Sequence, residues 1–209
     1  MSLLTSGVLA RPAGRTWQSD KSKGAMTLPI SAGHAIDIVC YCLGEFAEVA
    51  AKVAAQAPEW RVIDTGGSVK VDAPDTVLVS GVLENGAVAS VHVAAVPHNG
   101  SAWRMEVYGR DGAIVATSNQ MAQMAEVRIM ASKGAEPLAD LNVPDRYTVV
   151  PEGMPKGPPI NVGQMYARFA DAVAAGKASE PDFELALRHK LIEAIQPASD
   201  QGRTVKVSV

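Results

Sequence analysis

Residues 75–96, DTVLVSGVLENGAVASVHVAAV, decide the fold class. Two runs of β-branched and small residues lie on either side of Glu84-Asn85-Gly86. Asn-Gly between such runs favours the tight turns whose twist matches paired strands, so the segment is predicted to be an antiparallel hairpin. Moving outward, residues 103–109 (WRMEVYG) and 113–118 (AIVATS) flank Arg110-Asp111-Gly112 in the same manner. Residues 46–55 (FAEVAAKVAA), 125–132 (AEVRIMAS) and 146–150 (RYTVV) are further strand candidates. Consecutive strands joined by short turns form a mostly antiparallel sheet.

Helical periodicity brackets the strands. In residues 29–45, PISAGHAIDIVCYCLGE, Ile36, Val39, Cys40 and Leu43 share one apolar face and Gly44 suits a C-cap. Residues 151–164, PEGMPKGPPINVGQ, read as a connector. Residues 163–177 are predicted helical, with Met165, Phe169, Ala172 and Val173 on one face. Pro181 is expected to open a last helix lined by Leu187, Leu191, Ile195 and Ala198 and kinked or ended at Pro197. Residues 203–209, RTVKVSV, close the chain as a strand. Segregated strands and helices imply an α+β fold: an open, mostly antiparallel sheet with helices packed on one face. The other face, rich in Ala, Val and Ser, is expected to be an oligomer interface.

The bulk numbers narrow the classes of function. A chain of 209 residues fits one large domain, 1–209, better than two small ones. Lys and Arg number 19 against 22 Asp and Glu, without long like-charge blocks. This argues against nucleic acid or an anionic membrane as partner. No apolar run approaches the roughly 18 residues of a membrane span, and the first residues lack a signal-peptide pattern. Cys40 and Cys42 are too close together to staple a fold, which suits a reduced, cytoplasmic setting. Residues 1–23 read as the tail of something begun earlier.

His34 and Asp37 stand at i and i+3 near the start of a helix, and Tyr41 extends their stripe. A histidine there suits acid/base work, with the aspartate orienting it or binding a hydroxyl. The plainer alternative is a solvated first turn whose carboxylate favours the helix dipole. His92 reads as a sheet-surface residue, His98 as a strand-end loop residue, and His189 as part of a solvated basic patch. No spaced metal set emerges, and Cys40 and Cys42 point to different helix faces. There is no GxGxxG, P-loop or GxSxG, and a turn into a strand explains the glycine pair in DTGGSVKV.

Three segments carry a family resemblance: KGAMTLPISAGHAIDIVCYCLGE (23–45), WRMEVYGRDGAIVAT (103–117), and residues 161–207 with their closing helices and strand. Together they resemble the C-terminal domain of the glucose–fructose oxidoreductase / inositol dehydrogenase / rhizopine catabolism (Gfo/Idh/MocA) family. The nearest subgroup is similar to the fungal galactose-pathway repressor. The resemblance implies a preceding Rossmann domain that binds NAD or NADP and supplies a Lys from a Glu-Lys-Pro motif. Neither is in this chain, which is therefore expected to be a C-terminal fragment, inactive alone and binding no cofactor by itself. The resemblance makes His34 the active-site histidine and Asp37 a contact to substrate hydroxyls, with a sugar or polyol as substrate. One position departs from the pattern. Catalytic members carry an aspartate four residues before the histidine, and here it is Ile30. That substitution leaves a second expectation, a regulatory domain sensing NAD(P) or a sugar without turnover.

Overall fold

The computed structural model describes residues 1–5, 9–96, 99–155, 157–183 and 185–207, without the side chains of 187–190. The chain forms two compact units: Met1–Ser101 with Leu187–Val209, and Ala102–Ala186. The first begins with β1 (Ser2–Leu4), β2 (Ala10–Arg11), α1 (Gly33–Leu43), β3 (Phe46–Ala54) and β4 (Glu59–Val62). It continues with β5 (Ser68–Lys70), β6 (Thr76–Leu83) and β7 (Val88–Ala94). The second contains β8 (Ala102–Gly109), β9 (Gly112–Ser118), β10 (Arg128–Lys133), β11 (Ala139–Asp140) and α2 (Pro158–Ala174). The first unit then resumes with α3 (His189–Gln201) and β12 (Val205–Lys206).

The hairpin at residues 75–96 forms as its sequence requires. β6 and β7 pair antiparallel, with Val79 opposite Val91 and Val77 opposite Val93. These four valines are buried, while Leu78 between Val77 and Val79, and the flanking Ser80 and Ser90, are exposed. β3 pairs antiparallel with β6 and with β12, and β1 lies parallel to β7, bringing buried Leu3 opposite Val93. Helix α3 packs on β3 and α1 on β7. Leu191, Ile195 and Ala198 of α3 are buried, as are Ala35, Ile36, Val39 and Cys40 of α1. The fold is α+β, with open, mostly antiparallel strands and helices on one face. Each buried Val, Leu or Ile contributes about 1.5–3 kcal/mol to this core.

Two polar details lock the first unit. Asn85, at the hairpin turn, donates from Nδ2 to the Leu43 carbonyl at 2.7 Å and accepts the Ala87 N–H at 3.0 Å. The turn therefore satisfies a carbonyl left open at the C-terminal end of α1. The β3–β6 register shifts between Phe46 and Glu48, and Gly81 faces that irregularity. A Cβ on Gly81 would sit 2.1 Å from the Glu48 carbonyl oxygen, so only glycine fits. A smaller sheet joins β2, β4 and β5, and buried Trp60 packs there with Ala57, Val71 and Ala73.

In the second unit β8 and β9 form the other hairpin, with Trp103 opposite Ser118, and β10 and β11 extend it antiparallel. None of the α2 residues is buried.

Several expectations need correction. Residues 146–150 form no strand; Asp145–Tyr147 is a 3-10 turn, in a stretch bounded by Pro144 and Pro151. α2 starts at Pro158, inside the expected connector, because prolines at the first two helical positions lack only N–H groups that would be unbonded anyway. The last helix starts at His189 after the 3-10 turn Leu185–Arg188, not at Pro181. It also runs through Pro197 to Gln201. Burial of Ile195 and Ala198 on either side offsets the roughly 3 kcal/mol of an interior proline. β12 covers only Val205–Lys206 of the closing strand, and residues 208–209 lie outside the described residues.

Candidate functional site

The chain enters α1 through a wide turn. Leu28–Ala32 is π-helical, and the Ala32 N–H donates to the Thr27 carbonyl, five residues back, at 2.8 Å. Pro29 offers no N–H to a regular helical ladder. Such single wide turns occur often at functional sites. Gly33 then lets α3 approach, since a Cβ there would lie 3.3 Å from Ile192 Cδ1.

From Gly33 the helix sorts its side chains cleanly. Ala35, Ile36, Val39 and Cys40 are buried; His34, Asp37 and Tyr41 are exposed. The structure therefore brings His34 and Asp37 together on one accessible face, one turn apart. Neither serves the core. Ile30, about one turn earlier, is 47% exposed, an apolar side chain beside a polar stripe.

The other candidates scatter. His92 is half-buried on β7 opposite Leu78, as a sheet-surface residue. His98 lies outside the described residues, as does the side chain of His189. Cys40 is buried and Cys42 exposed, neither in a disulfide; desolvation pushes the Cys42 thiol above its ordinary pKa. The glycine pair Gly66-Gly67 is the turn leading into β5. Among the described residues no His/Cys/Asp/Glu group could hold a metal, and no helix is long and apolar enough to cross a membrane.

Two concave features had no signature in the sequence. In the first unit a pocket of about 200 Å³ is lined by Arg11, Arg15, Gln18, Ile30, Ser31 and Trp60, among others. The Arg11 guanidinium lies 5.3 Å from the centroid of the Trp60 ring. Asp75, 1% exposed, also lines it, and its carboxylate accepts from the Gln56 and Ala57 N–H groups and from Thr76 Oγ1. In the second unit an apolar groove of about 680 Å³ runs along α2, lined by Met124, Val162, Met165, Tyr166, Phe169 and Phe183 with few polar groups.

Among the described residues neither feature is built on a glycine-rich phosphate turn of the dinucleotide-binding kind. The phosphates of a dinucleotide need backbone N–H groups at a glycine-rich turn from strand to helix. α1 continues from a π-helical turn, α2 opens on two prolines, and α3 follows a 3-10 turn.

Comparison with known proteins agrees with this architecture. The family model of the Gal80p C-terminal domain matches residues 9–118, more than half of the chain. An uncharacterised oxidoreductase of Synechocystis sp. (strain ATCC 27184 / PCC 6803 / Kazusa) is 28% identical over 134 residues, covering 62% of this chain and 36% of that protein. Among solved structures, levoglucosan dehydrogenase in complex with NADH and levoglucosan superposes with a TM-score of 0.81 at 21% identity. That match covers 99% of this chain and 57% of the other. A super-repressor mutant of Gal80p from Saccharomyces cerevisiae matches with a TM-score of 0.80 at 18% identity, over 96% of this chain and 55% of the other. The chain thus spans about a third of the curated relative and little more than half of these solved chains. At such identities the structural likeness establishes the fold.

Proposed function

The chain belongs to the family of the Gal80p C-terminal domain, and from that premise we propose that it is the substrate-binding and dimerisation domain of a Gfo/Idh/MocA-type, NAD(P)-dependent sugar or polyol dehydrogenase. The observation that carries this reading is the exposed pair His34 and Asp37 on α1, held by a helix whose opposite face is buried.

In this reading His34 takes the proton of the substrate hydroxyl as it is oxidised, and returns it in the reverse direction. An imidazole suits that task because its ordinary pKa lies near neutrality. Asp37 accepts a hydrogen bond from a neighbouring hydroxyl and fixes which carbon faces the histidine. The cofactor, NAD or NADP, supplies the hydride acceptor and is held by an N-terminal Rossmann domain of the parent protein. This chain alone neither binds it nor turns over substrate. The outer face of the first unit's sheet, with Ala50, Ser80, Val82 and Ser90 and few charges, pairs with a second copy. Cys40 and Cys42, too close together in the chain to staple a fold, suit a cytoplasmic location.

Ile30 favours a second reading, a domain that senses NAD(P) or a sugar without turnover. An isoleucine cannot orient a hydroxyl or tune a histidine by charge. The full-length parent protein decides between the two. Reduction of NAD or NADP with any member of a sugar panel supports the enzyme. Saturable cofactor or sugar binding with no reduction across the panel supports the sensor.

A further inference from the structure

The pocket beside the π-helical turn has a donor-rich lining that a neutral polyol does not match. Two guanidiniums, Arg11 and Arg15, line it with the Gln18 amide and the Ser31 hydroxyl. Trp60 also lines it and is only 3% exposed, with the Arg11 guanidinium 5.3 Å from its ring centroid. The one carboxylate in the lining, Asp75, already accepts from Gln56, Ala57 and Thr76. Burial and, after it, the like charge of Arg15 hold the Arg11 guanidinium below its ordinary pKa. An anion placed there would relieve that repulsion.

We infer that this pocket takes the carboxylate of a small acidic sugar, so that the substrate class of the parent protein is a sugar acid and not a neutral polyol. The inference rests on the reading of His34 given above. Ile30 lines the pocket and precedes His34 by about one turn, so a ligand reaching along α1 has its acidic end at the arginines and a hydroxyl toward the histidine. An apolar side chain at position 30 fits this chemistry, because a carboxylate there would repel an anionic substrate. A planar carboxylate suits the guanidinium fork, through two parallel hydrogen bonds. Its single charge is easier to hold than a phosphate dianion near Asp75. The volume, about 200 Å³, corresponds to roughly seven waters at bulk density, which admits a monosaccharide-sized group and no nucleotide.

Titration calorimetry on the 209-residue chain tests this, because every lining residue is in it. The probes are D-glucuronate, D-glucose and inorganic phosphate. Glucuronate is expected to bind about tenfold or more tighter than glucose, the usual worth of hydrogen bonds to a charged group. Added salt should weaken it. Arg15→Gln, at an exposed position that leaves the fold intact, should erase the preference, and Arg15→Lys should restore part of it. Equal affinity for glucose and glucuronate, no binding of either, or tighter binding of phosphate would each overturn the assignment. The assay needs neither cofactor nor turnover. Failure here is therefore distinct from failure of the dehydrogenase reading, which shows as absent NAD(P) reduction in the full-length protein.

Discussion

Helices α2 and α3 carry the same kind of apolar stripe and meet opposite fates. In α3, Leu191, Ile195 and Ala198 are at most 2% exposed, packed on the sheet of the first unit. In α2, Met165, Phe169 and Val173 also recur at a helical spacing, yet they are 41% to 62% exposed. Periodicity shows that a helix has an apolar face; it does not show what covers that face. The stability of this chain should therefore depend on one helix and be nearly indifferent to the other.

The largest expected effect is at Ile195. Replacing a fully buried isoleucine by alanine should lower the unfolding free energy by about 2–5 kcal/mol in a denaturant titration. A loss under about 1 kcal/mol would mean that α3 is not the seal of the core. Gly81→Ala should come next, at about 3 kcal/mol, because a Cβ at 2.1 Å from the Glu48 carbonyl meets backbone that no rotamer change can move. Wild-type stability in that variant would show that the β3 irregularity can relax. Asp75→Ala should cost about 1.5–3 kcal/mol, since the Gln56 and Ala57 N–H groups lose their shared acceptor. Phe169→Ser on α2 should stay within about 0.5 kcal/mol, as exposed substitutions do. A large loss there would erase the contrast between the two helices.

Both long hairpins were legible in the sequence because Asn85-Gly86 and Asp111-Gly112 fix the turn and the alternation fixes the register. The sorting of α1 was legible too, since Ile36, Val39 and Cys40 against His34 and Asp37 is a strong helical pattern. The short strands β2, β4 and β5 carry too few residues for an alternation to register. Prolines misled at two places, since Pro158 opens α2 and Pro181 does not open α3, while Pro197, expected to kink or end α3, does not end it. In each case the outcome depends on which N–H groups are needed and what is buried nearby, which no local pattern contains. The arginine-lined pocket was invisible for a related reason. Arg11, Ile30, Trp60 and Asp75 are far apart in the chain and meet only through the fold.

Kinetics of His34→Ala in the full-length protein test the central claim most directly. A general acid/base acts mainly in the transition state, so kcat should fall about 10²–10⁴-fold with little change in KM. Asp37→Asn, in contrast, should act mainly on KM. The fold should survive, because His34 is exposed and the core face of α1 is untouched. A wild type that oxidises its substrate, with His34→Ala within about twofold of it, would contradict the account and leave His34 as a solvated residue of the first turn.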